Sequence, residues 1–259
     1  MKKLFTVLLL AVVWTACNKD KDVEAVPEKT YLLKKRSHVQ GRSAWSIEYT
    51  FDANGKMLQC ISAGSLSNYV LTASRDDHNR IVRADFDNAA YGYRTYEYDA
   101  GGNLSRVNFY SLPGGAIYAY TIYNFTATGY EAVRYNPSGT LNGKDVYQFT
   151  ADKKNIALQK TYNASGIQTQ EKTFTYTNKR SEYYVEPERA MQILSSGFCN
   201  QNGTASVTTK TLPAGSSYSE ARSQTYNADG YAISSQATYT NEFEDLKNDF
   251  ELINGDFKK

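Results

Sequence analysis

Apolar and polar residues alternate singly along most of this chain. In Trp45-Ser46-Ile47-Glu48-Tyr49-Thr50-Phe51 one side carries Trp45, Ile47, Tyr49 and Phe51 and the other Ser46, Glu48 and Thr50. Val82, Ala84 and Phe86 oppose Arg83 and Asp85 in the same way, and Phe174 and Tyr176 oppose Thr173 and Thr175. A period of two is the signature of a strand with one covered face, here a largely aromatic one.

Short turn sequences punctuate the alternation. In Tyr96-Glu97-Tyr98-Asp99-Ala100-Gly101-Gly102-Asn103-Leu104, Asp99 can hydrogen-bond its own backbone to start a type I turn. Gly102 can take the positive φ that closes a bulged three-residue hairpin loop. The unit recurs at Asp52-Ala53-Asn54-Gly55, Asn136-Pro137-Ser138-Gly139, Asn163-Ala164-Ser165-Gly166 and Asn227-Ala228-Asp229-Gly230, with worn copies near Asp76, Thr126, Thr150 and Thr177. One series of reversals runs 52, 76, 99, 126, 150, 177, 202, 227. A second falls between its members, near 40, 64, 89, 112, 138, 165, 187 and 212. Two interleaved series about 25 residues apart describe an up-and-down meander with turns at opposite ends, about sixteen or seventeen strands from Tyr31 to Tyr239.

After Tyr239 the period changes. Asn241 can cap a helix with Glu244 at the capping-box position, and Phe243, Leu246, Phe250 and Ile253 share one side of a 3.6-residue repeat that Gly255 can end. The spacing predicts a short amphipathic helix over about 242–254.

Met1 to Cys17 have a basic start (Lys2, Lys3), an apolar run from Leu4 to Val13, and small residues before a cysteine. This resembles a bacterial lipoprotein signal, which implies lipidation of Cys17 and removal of residues 1–16; Trp14 departs from the usual aliphatic residue. Residues 17–29, polar and charged, read as a tether, followed by a single domain, 30–259. The acidic tether also resembles the surface-export signal of Bacteroides-type lipoproteins. The resemblance implies an outer-membrane lipoprotein, at the cell surface or on the periplasmic face, held to the membrane through Cys17.

Cleavage would leave 243 of 259 residues, with 27 basic and 27 acidic side chains. That balance gives no attraction to nucleic acid. Tyr (22) outnumbers Phe (11) and Trp (2) together, which suits sheets wet on one side. An open sheet of sixteen strands leaves two bare edges, so closure is expected: an all-β antiparallel barrel, large, flattened or plugged, with the C-terminal helix against it. Outward-facing aromatics in lipid are the alternative, disfavoured by strand charges such as Arg83, Asp85 and Glu97. The unit Tyr-x-Tyr-Asp-x-x-Gly-x-Leu resembles the YD repeats of Rhs-type and teneurin-type shells. With the signal it is more similar to Bacteroides-type lipoproteins of unknown function with a porin-like fold, a resemblance that implies a barrel and no activity.

Chemistry-bearing residues are few. His38 and His78 have no metal-type neighbours and are expected to be exposed. Cys60 and Cys199 suit a disulfide or two buried hydrophobes. Glu182, Glu186 and Glu188 read as a solvated loop, with glycoside hydrolysis the catalytic alternative. No catalytic elbow, metal helix or phosphate loop is present, and no cofactor is expected. The dense group Tyr91, Tyr93, Tyr96, Tyr98, Tyr118 and Tyr120 is the candidate ligand-stacking surface, with cross-strand pairing as the structural alternative. The expected function is non-catalytic binding of a glycan or protein partner, with an outer-membrane pore as the alternative.

Overall fold

The computed structural model describes residues 30–65, 68–88, 90–111, 115–181, 200–240 and 245–255. Cys17, the signal and tether, Cys199, Pro187 and the Glu182–Glu188 group lie outside them.

Sixteen strands follow one another: β1 (Thr30–Gln40), β2 (Ser43–Phe51), β3 (Met57–Gly64), β4 (Tyr69–Arg75), β5 (Ile81–Phe86), β6 (Tyr93–Tyr98), β7 (Leu104–Tyr110), β8 (Ile117–Thr126), β9 (Gly129–Tyr135), β10 (Leu141–Phe149), β11 (Ile156–Tyr162), β12 (Gln168–Arg180), β13 (Asn202–Thr211), β14 (Ser217–Tyr226), β15 (Ala232–Tyr239) and β16 (Leu246–Gly255). Each pairs antiparallel with its sequence neighbours, and β1 pairs with β16 to close the barrel.

The expected turn chemistry recurs at both ends. Asp99 Oδ1 accepts the Asn103 amide at 2.8 Å, the Gly102 amide donates to the Asp99 carbonyl at 3.0 Å, and Gly102 has φ 82°. Asp52, Asp76, Asn136, Asn163 and Asn227 each accept the amide four residues on in the same way. The side chain thus satisfies a loop amide while the positive φ turns the chain back into the ladder.

Three expectations need correction. The C-terminal segment is a strand, with no helix among the described residues 245–255. Asn248, Phe250 and Leu252 alternate with Lys247, Asp249 and Glu251, and pairing with β1 and β15 satisfies two edges that a helix would leave bare. Leu246 and Phe250, four apart, fit both periods. Secondly, β12 continues through the reversal expected near Thr177 to Arg180. It pairs directly with β13, Phe174 opposite Val207, so no strand intervenes in the wall between them. Thirdly, His38 is buried, 6% exposed, and stacks on Trp45 at 4.5 Å; His78 is exposed.

Directly opposed residues share a face, so the pairing registers sort every strand into inner and outer sides. Inner side chains near the end bearing the Asp52, Asp76, Asp99 and Asn227 turns are apolar. Leu33, Met57, Ile81, Leu104 and Ala232 belong to one cluster, and Leu33 and Met57 are 0% exposed. Phe125, Tyr130, Phe149, Ile156 and Phe174 continue it around the wall. A wide empty barrel would leave such side chains solvated, so the barrel is filled at this end, here called the floor.

Candidate functional site: a polar mouth above an apolar floor

Toward the opposite end the inner face changes character. Arg36, Arg94, Arg134, Lys172 and Arg222 face inward with Asp145 and Glu220, and Gln159, Thr161, Gln170 and Gln224 lie among them. Lys172, Arg222, Gln159 and Gln170 are half-buried, so water reaches this wall. Five cations against two carboxylates, among the described inner residues between floor and mouth, make the upper interior electropositive.

The acids are held by their neighbours. Asp145 pairs with Arg134 and accepts from Thr161 Oγ1 at 2.6 Å and Gln159 Nε2 at 3.4 Å. Glu220 pairs with Arg222. On β1 and β16, Arg36 Nη2 donates to Asn248 Oδ1 at 3.5 Å, and Asn248 Nδ2 donates to Ser235 Oγ at 3.0 Å. Burial, and then the charge of Arg36, lower the His38 pKa to about 3, so the ring beside them is neutral.

Arg94 occupies the centre of an aromatic group. Its guanidinium carbon lies 5.0 Å from the Phe86 ring and 5.3 Å from the Phe109 ring. Tyr91 packs against Tyr69 at 5.3 Å and Phe86 at 5.7 Å, and Tyr118 lies 6.2 Å from Phe109. Burial raises the hydroxyl pKa of Tyr69, Tyr96 and Tyr123, and the positive charge of Arg94 acts in the opposite direction on all three.

Local sequence sets this rim. Gly92 has φ 62°, and a Cβ there would stand 1.7 Å from the Tyr110 carbonyl oxygen, so only glycine lets the chain pass this close to β7 beside Tyr91, whose ring packs on Phe86. Tyr118 is the extra residue where the β7–β8 register slips between Phe109 and Tyr110, a bulge that frees its ring.

The six sequence-selected tyrosines occupy three places. Tyr91 and Tyr118, 39% and 51% exposed, stand at the mouth. Tyr96 and Tyr98 face inward; Tyr98 donates to the Ile81 carbonyl at 2.7 Å, and burial pushes its hydroxyl up to about 12. Tyr93 and Tyr120 are on the outer wall. Arg94 and Arg134 were not singled out in the sequence; their opposition to Phe109 and Thr121 across the register is the signal that finds them.

The outer wall repeats an acid–base–aromatic arrangement. Asp85 binds Arg83 at 2.6 Å, and Arg83 lies 3.9 Å over Tyr93, which stacks on Tyr110 at 4.2 Å. Glu97 lies 4.0 Å from Arg106, which covers Tyr120 at 4.1 Å, and Tyr120 stacks on Tyr135 at 5.0 Å. Glu131 binds Lys144 at 3.1 Å, 5.4 Å from the Tyr162 ring. These are cross-strand ladders whose ring faces are occupied from within the sheet. At the floor end, Thr150, Asp152, Asn155, Tyr176, Asn178 and Asn202 line an open depression of about 490 Å³.

A closed, sixteen-strand, up-and-down antiparallel barrel, floored with aromatics and polar at its mouth, defines the class of fold. The same fold occurs in a porin-like protein from Bacteroides vulgatus, 11% identical, with 86% of this chain and 98% of that chain covered at a TM-score of 0.56. A porin-like protein from Bacteroides uniformis is also 11% identical, with 85% and 98% covered and a TM-score of 0.42. No protein-family model matches the chain, and no curated protein matches it.

Proposed function

We propose that this chain is a lipid-anchored, non-catalytic β-barrel of the outer membrane, standing in water, that binds a glycan in its polar mouth. The observation that carries the reading is the wall itself: ion-paired charges run along its outer face, and the apolar cluster lies inside. Arg83, Lys144 and Lys160 sit mid-strand on the outer face. On a lipid-facing midplane each such cation costs about 2–4 kcal/mol, which weighs against a spanning pore. Anchoring then falls to Cys17. β1 starts at the floor end with Thr30, so the preceding residues join the barrel at the end opposite the mouth.

Sugars suit the mouth because their apolar faces stack on rings such as Tyr91 and Tyr118, while Thr, Gln and Arg side chains satisfy hydroxyls. Deleting residues 1–24 removes no strand of the closed barrel. This fragment is expected to stay monodisperse without detergent and to retain glycans in array and calorimetric screens. In cells, Cys17→Ala is expected to release the protein from the membrane fraction. Detergent-dependent solubility with conductance in planar bilayers would establish the pore instead.

A further inference from the structure

We infer that Lys172, on the inner face of β12, is a binding position for a singly charged oxyanion, the carboxylate or sulfate ester of a ligand entering through the mouth. The inference goes beyond the glycan reading, because it fixes the charge that one point of the interior accepts, whatever molecule carries it.

Lys172 differs from the other inner cations. Arg134 pairs with Asp145, Arg222 pairs with Glu220, Arg36 donates to Asn248, and Arg94 lies against the Phe86 and Phe109 rings. Among the described residues, the Lys172 ammonium has no carboxylate, hydrogen-bond acceptor or ring as a partner. The described acids of this wall are committed elsewhere. Asp145 already receives Arg134, Thr161 and Gln159, and Glu220 is taken by Arg222. Glu171, next to Lys172 in sequence, belongs to the outer face, where it lies 3.9 Å from Lys160.

The place of Lys172 in the wall gives this vacancy its consequence. Gln159 and Thr209 stand directly opposite it on β11 and β13. Gln170, two residues toward the mouth, carries an amide that is likewise without a partner among the described residues. Phe174, two residues toward the floor, packs on the apolar cluster of Tyr130 and Ile156. Lys172 is therefore the last charged inner residue of β12 above the floor, and it is half-buried, so water reaches it. An ion pair formed beside an apolar floor is screened less than one at an open rim. One ammonium with an amide near it matches one negative charge and several acceptor oxygens. A carboxylate or a sulfate ester supplies both; a neutral hydroxyl leaves the charge unanswered, and a doubly charged phosphate brings more charge than the position balances.

Sodium acetate and sodium methyl sulfate are titrated into the isotopically labelled fragment lacking residues 1–24, at an ionic strength held constant with sodium chloride, and backbone amide shifts are followed. Saturable shifts are expected at Gln159, Gln170, Lys172 and Thr209. Lys172→Met should weaken the response about tenfold, the scale of one charge-assisted hydrogen bond. It should leave the melting temperature in place, because the ammonium has no protein partner to lose. Lys172→Gln, which keeps a polar tip, is the second variant and carries the same expectation. Lys160→Met, on the outer face, should leave the response intact. Absence of saturable shifts, an equal response to sodium chloride, or a response unchanged in both Lys172 variants overturns the inference. Glycans retained without any such response would remove this site and leave the glycan reading standing; the response without retention of any glycan would do the reverse.

Discussion

Replacing Asp145 by Asn keeps the shape of the side chain and deletes its charge. Asp145 has a side chain 12% exposed and Arg134 one 37% exposed, so the pair sits between the enclosed and the solvated extremes. Breaking a fully buried pair costs about 3–5 kcal/mol, and an exposed pair is worth about 0.2–1 kcal/mol. Arg134 retains enough water to blunt the penalty, but Thr161 and Gln159 also lose a charged acceptor. An overall loss of about 2 kcal/mol follows. With a urea m-value of about 2 kcal/mol/M, the unfolding midpoint should fall by about 1 M at an unchanged slope. A cycle with Arg134→Met isolates the pair, and a coupling of about 1 kcal/mol is expected. A midpoint unmoved by Asp145→Asn, or a coupling indistinguishable from zero, would refute the assignment of this pair as a support of the wall.

Other outcomes follow from individual side chains. His38 is held neutral, its folded pKa far below 6.5, so the unfolded chain binds the proton first; stability should rise with pH between about 3 and 6.5, by up to about 1 kcal/mol per pH unit after allowance for screening. Urea midpoints from pH 4 to 7 check this, and His38→Gln should flatten the profile. The Cys60 thiol is free and buried, and burial pushes it up to about 12. It should therefore resist thiol reagents at neutral pH until the chain unfolds, as mass spectrometry of alkylated protein would record. Ending the chain at residue 245 removes β16 and bares the edges of β1 and β15, so this truncation should aggregate rather than yield a folded monomer in size-exclusion chromatography.

The strands and reversals were legible because their signals are local. An Asx residue and a glycine three positions later determine a hairpin by themselves, and alternation names the covered face. Closure was legible from strand number, since so many strands cannot end in open edges. The C-terminal strand was misread because Leu246 and Phe250 satisfy both periods, and the deciding contribution, pairing with β1 more than two hundred residues earlier, is not local. His38 was misread for a related reason. It stands in a polar run, Lys34-Lys35-Arg36-Ser37-His38, and only the register with Trp45 and Asn248 reveals that it faces inward. The tyrosine group from 91 to 120 is dense along the chain but is divided by the pleat between mouth, interior and outer wall. What unites the mouth is opposition across strands, which the linear sequence does not display.

Thr30 and Gly255 are paired partners at the floor end, so the first and last strands finish side by side. A short linker between them would let the chain be opened instead at the exposed Asn163–Gly166 turn, giving a circular permutant with the same wall. A passenger domain fused after residue 255 would leave the barrel beside Thr30, at the end opposite the mouth.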